Sequence, residues 1–140
     1  MSLAGKAFSN EMADLWNRVQ VVSARNGHKF VYAIDVLIAL TLEPREGGLH
    51  ACNVLRDHGV TKDSLMKYVA VGRDFKPSNR MVATALESIA GRIKEDTITP
   101  ENLLVQLLQD QSSSAGIAVS QMRVRVPRVI RELGNAPVHA

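Results

Sequence analysis

Apolar residues recur along this chain at steps of three and four, and the same ordered set occurs twice. Side chains three and four positions apart share one face of a helix, so the spacing predicts amphipathic helices, not strands. At an offset of 67, Val31 meets Ile98, Val36 meets Leu103, Leu37 meets Leu104 and Leu40 meets Leu107. At an offset of 64, Ala51 meets Ala115, Val54 meets Ala118, Leu55 meets Val119 and Val60 meets Val124. Leu65 then meets Val129, and Val69 meets Leu133. The change of offset falls in the loop after the second helix, where deletions are tolerated. A unit of about 65 residues buries too little surface to be secure alone, so two units are expected to pack face to face.

Start and stop signals divide each unit into helices of long, medium, short and short length. In the first unit they run over about Asn10–Asn26, Ala33–Leu42, Leu49–His58 and Lys62–Ala70. Ser9 and Thr61 are N-caps, because a short hydroxyl side chain accepts from a free backbone N–H of the first turn. Gly27 and Gly59 are stops, since glycine takes the left-handed conformation without a Cβ clash. The second unit opens with a helix from the Ser78 cap to about Lys94. A second helix, announced by Thr99-Pro100-Glu101, reaches about Gln109. Two more cover about Ala115–Met122 and Pro127–Leu133. The expected organisation is a tag or disordered leader over 1–7, repeat 1 over 8–71, a linker over 72–77, repeat 2 over 78–134 and a tail over 135–140. The expected fold is all-α: two tandem four-helix repeats packed as a pseudo-twofold eight-helix bundle, with a groove between the halves.

Composition agrees. Hydrophobic residues make up 46% of the chain and aromatic residues only 4%, which means an aliphatic core. One cysteine excludes an intrachain disulfide and fits a reducing, cytoplasmic setting. No apolar run approaches the ~20 residues that span a bilayer. The net charge is only +3, but Arg123, Arg125, Arg128 and Arg131 cluster. They read as a solvated helix face with its approach loop. The alternative is a basic stripe for nucleic acid, although no aromatic residue interleaves with it to stack bases.

No set of residues converges on chemistry. A phosphate-cradling Gly-x-x-x-x-Gly-Lys-Ser/Thr loop is absent. His50 and Cys52 are two apart, and on a helix such residues point to different sides, so with His58 they make a poor zinc set. Cys52 reads as a small buried thiol and Ser112–Ser114 as a loop and cap. Catalytic residues, cofactors and metals are therefore all expected to be none.

The ordered motifs resemble the Clp N-terminal domain, or double Clp-N motif, of the Clp/Hsp100 AAA+ unfoldases. The likeness covers about Phe8 to Leu133. It rests on Phe8-Ser9, Gly27-His28, Asp35-Val36-Leu37-Ile38-Ala39-Leu40, Ala51 with Val54-Leu55 and Gly59-Val60, and Ile98-Thr99-Pro100-Glu101-Asn102-Leu103-Leu104. The resemblance implies a non-catalytic protein-interaction domain that recruits substrates or adaptors to an attached or separate ATPase ring, the isolated domain being a monomer. Many relatives begin the second helix of each repeat with Thr-Glu-His, and some use the two glutamates to hold phosphoarginine. Here Ala33-Ile34-Asp35 and Pro100-Glu101-Asn102 stand there, so only Glu101 remains and phosphoarginine binding is not expected. The candidate protein-contact residues are Phe30, Tyr32, Ile34, Phe75 and Glu101.

Overall fold

The computed structural model describes residues 2–28, 30–42, 50–69 and 83–134, and the chain is mostly helical. The helices are α1 (Asn10–Arg25), α2 (Ala33–Thr41), α3 (His50–Asp57), α4 (Lys62–Leu65), α5 (Ala83–Gly91), α6 (Pro100–Gln109), α7 (Ser114–Gln121) and α8 (Val126–Gly134). The expected linker 72–77, the Ser78 cap and the tail 135–140 lie outside the described residues. Among the described residues, no helix is long and apolar enough to cross a membrane.

Helix starts follow side-chain chemistry. Ser9 Oγ accepts from the Met12 N–H at 3.1 Å and opens α1. Thr99 and Asn102 cap α6 reciprocally: the Asn102 N–H donates to Thr99 Oγ1 at 3.1 Å, and the Thr99 N–H donates to Asn102 Oδ1 at 2.8 Å. At the same point of α2, the Asp35 carboxylate accepts from the Tyr32 N–H at 2.9 Å.

Helices α3 and α7 end in the same turn. The Val60 N–H returns to the Leu55 carbonyl across Gly59, at φ +78°. The Val124 N–H returns to the Val119 carbonyl across Arg123, at φ +60°. Both are the left-handed closure that satisfies last-turn carbonyls.

Packing centres on α2, all nine of whose residues are buried. The stripe Val36, Leu37 and Leu40 predicts one inward face; burial extends all round because α2 packs against α1, α3, α4 and α7. Likewise α6 packs against α5, α7, α8 and α3, while α8 packs against α3 and the turn after α4 packs against α7. One continuous cluster runs through both halves, from Met12 and Leu15 to Leu103, Leu107 and Val129.

Three expectations need correction. Residues 2–7, expected within a tag or disordered leader, are ordered: β1 (Ser2–Leu3) and β2 (Lys6–Phe8) form a hairpin, and β2 pairs in parallel with β3 (Thr97–Ile98). Its two-residue turn has positive φ at Ala4 (+53°) and Gly5 (+76°), the mirror-image turn whose twist suits a hairpin. Leu3 is buried in the core, Lys6 Nζ donates to the Ile93 carbonyl, and the Ala4 N–H donates to Glu87 Oε2 at 2.6 Å. Second, α4 stops at Leu65 and continues as a 3-10 turn over Met66–Tyr68. Winding of three residues per turn advances the chain faster than an α-helix, and Met66 at its start is 41% exposed. Third, α5 ends at Gly91, not Lys94, with i-to-i+3 bonds from the Arg92 and Ile93 N–H groups closing it.

Candidate functional site

Of the residues expected to contact a partner, the structure separates those that can from those that cannot. Phe30 is 37% exposed, and its carbonyl accepts from Ser23 Oγ at 3.0 Å, which fixes the loop before α2. Tyr32 is half-buried, with its ring edge-on to His28 at a centroid distance of 4.5 Å. Ile34 is corrected: it is fully buried, and its N–H donates to Ser114 Oγ of α7 at 2.9 Å. A position packed between two helices has no surface to offer, so Ile34 is core. Phe75 lies outside the described residues. Glu101 is half-buried in the first turn of α6, where a carboxylate meets the positive end of the helix.

Beneath Tyr32 lies a buried polar knot that the sequence did not reveal. The Asp35 side chain has no exposed surface and accepts from three donors. His28 Nδ1 reaches its two oxygens at 2.8 and 2.9 Å, Asn26 Nδ2 donates at 2.9 Å, and the Tyr32 N–H donates at 2.9 Å. The knot ties the end of α1 to the start of α2. The positional signal was Gly27-His28 followed by an acid at the third position of α2, but nothing local showed that the two would meet.

His50 and His58 are structural in the same sense. His50 Nε2 donates to the Glu132 carbonyl at 2.8 Å, and His58 Nε2 donates to Glu132 Oε2 at 2.6 Å. His50 opens α3 and His58 follows it, and both hold α8 through Glu132. Cys52 is fully buried on the inner side of α3. Burial pushes its thiol above the ordinary range, against the opposing pull of Arg56 and Arg18. A protonated thiol is a poor nucleophile and a poor metal ligand. Among the described residues, no group of three or more His, Cys, Asp or Glu could hold a metal.

Two grooves open on either side of α8, and Ile130 lines both. The smaller, about 540 Å³, has Glu95 and Glu101 at its edge and Val105, Ile130 and Leu133 along it. The larger, about 1110 Å³, runs between the end of α6, α7 and α8. Arg125, Arg128 and Arg131 line it over Leu108, Val119 and Ile130. The arginines that read as a solvated face therefore border a concave surface. None of Phe30, Tyr32 and Ile34 lines either groove; Glu101 lines the smaller one.

Fold and site together define a mostly helical chain with open, mixed polar and apolar grooves. No protein-family model matches it, and no curated protein matches it significantly.

Proposed function

We propose that this chain is a protein-interaction domain of the Clp N-terminal type, which recruits client or adaptor polypeptides to a Clp-type AAA+ unfoldase and does no chemistry itself. The observation that carries the reading is the exchange of contacts between its halves. α2 meets α7 as α6 meets α3, and α3 meets α8 as α7 meets the turn after α4. Such reciprocity is expected of two tandem four-helix repeats related by a pseudo-twofold axis, and the matching turns at Gly59 and Arg123 support it. A rigid helical frame with open grooves suits binding of a short segment or an amphipathic helix.

The recruiting surface is the groove at Glu101, which offers apolar contact beside two carboxylates. Ile34, at the equivalent place in the first repeat, takes no part. The role needs no cofactor or metal. Photocrosslinking from Val105 in the host cell, followed by mass spectrometry, tests it. The expected product is a AAA+ unfoldase subunit or its clients and adaptors, lost on Glu101→Lys. Recovery of none of these overturns the reading.

A further inference from the structure

The larger groove carries a second, chemically different surface. Arg125, Arg128 and Arg131 line it, and no carboxylate does. Among the described residues, Arg125 and Arg131 form no ion pair; Arg128 has only Glu132, 4.0 Å away and already bonded to His58. Three cations thus stand over an aliphatic floor of Val119, Val124 and Ile130.

Comparison of the two halves shows what these arginines displace. The turn after α3 uses Gly59 at φ +78°, and the matching turn after α7 uses Arg123 at φ +60°. Glycine takes that conformation freely, whereas a side chain with Cβ is strained in it. Next, α4 opens on Thr61, whose Oγ1 accepts from the Ser64 N–H at 3.3 Å. Helix α8 has Arg125 and Arg128 in those places, and arginine has no acceptor with which to cap. Cations at a helix start also oppose its dipole. The second half therefore forgoes a relaxed turn and a cap that the first half keeps. Of these arginines, Arg125 and Arg128 line the groove, and a missing cap and an opposed dipole retained at their surface positions point to use.

We infer that the groove between α7 and α8 binds an acidic, amphipathic peptide segment, its carboxylates on Arg125, Arg128 and Arg131 and its apolar side chains on the floor. Charge selects the class of partner, because a groove with three cations and no lining carboxylate repels basic segments. The floor selects within it. A nucleic-acid backbone would leave the aliphatic surface unfilled, and no aromatic residue lines the groove to stack a base. The inference rests on the recruitment reading for the kind of partner, but it names a different surface from the one at Glu101.

Fluorescence anisotropy on the full chain tests it without any unfoldase, so its failure and that of the crosslinking experiment are separable. The probe is a labelled synthetic helix with Glu on one face and Leu on the other. Replacing its Glu by Gln, or its Leu by Ser, is expected to weaken binding at least about tenfold. Arg128→Glu with Arg131→Glu is expected to do the same with an unchanged circular-dichroism spectrum. Arg125→Gln and Arg131→Gln, milder changes, are expected to cost about two- to fivefold each. No binding, equal binding of the Gln or Ser probe, or tighter binding of a duplex oligonucleotide would each overturn the inference.

Discussion

Gly116→Ala sets helix propensity against packing, and the two predict opposite signs. Gly116 lies within α7, and alanine is favoured over glycine in a helix by about 1 kcal/mol. A Cβ there would stand 1.8 Å from the Asp110 carbonyl oxygen, 2.8 Å from its carbon and 3.0 Å from Gln111 Cα. All three atoms are backbone, so no flexible side chain can swing aside. To restore ordinary contact at 3.4 Å, the carbonyl must retreat by the difference, 1.6 Å. That carbonyl accepts from Ser113 Oγ at 3.0 Å, and Ser113 in turn caps α7 through the Gly116 N–H at 3.1 Å. Overpacking of this kind costs about 1–3 kcal/mol, and loss of the cap about 1 kcal/mol more. After the propensity gain, the expected net loss is about 2 kcal/mol. For a chain of this size Tm should fall by about 7 °C. Gly91→Ala is the matched control. Its nearest neighbour would be Ala4 Cβ at 4.0 Å, so there only propensity acts, and stability should hold or rise slightly. Thermal and urea melts of both variants by circular dichroism decide the matter. If Gly116→Ala melts at or above the parent temperature, the close approach of α7 to the end of α6 is refuted.

Other outcomes follow from the same contacts. Asp35→Ala leaves the His28, Asn26 and Tyr32 donors without their shared acceptor and should cost about 3 kcal/mol in urea unfolding. Ile34→Glu places a charge in a fully buried site and should cost at least about 3 kcal/mol, while Glu101→Gln should stay within about 0.5 kcal/mol of the parent. The Cys52 thiol should react with a disulfide probe far more slowly in the folded chain than in denaturant. Because its folded pKa is raised, the stability it contributes is present below the ordinary thiol pKa and lost as pH rises through the raised one. Cys52→Ala should accordingly flatten the alkaline end of the stability profile, read as Tm against pH.

What could be read from the sequence was whatever is decided within a few residues. The caps Ser9, Thr61 and Thr99 and the stops Gly27 and Gly59 act through neighbouring backbone groups, and the helix starts and stops they mark appear where expected, although the helix that Thr61 opens is shorter. The hairpin was missed because two- and three-residue strands carry no period, and Ala4-Gly5 is a weak turn signal beside Asn-Gly. Ile34 was misread for a different reason. Its exposure is decided by Ser114 of α7, 80 residues away, and no local pattern reports that meeting. The arginine cluster was visible as a cluster, but whether it borders a convex face or a groove depends on how α6, α7 and α8 pack.

The parallel pairing of β2 with β3 has a consequence for synthesis. Phe8 cannot meet Ile98 until about 90 more residues have been added. At typical translation rates of about 5–20 residues per second, that wait is roughly 5–18 s. Throughout it, Lys6–Phe8 has no strand partner on that side, and the largely apolar surface of α2 has no α7 to cover it. The first half of the chain is therefore held open to the cell's chaperones for longer than its length suggests, and it closes only when the second half arrives.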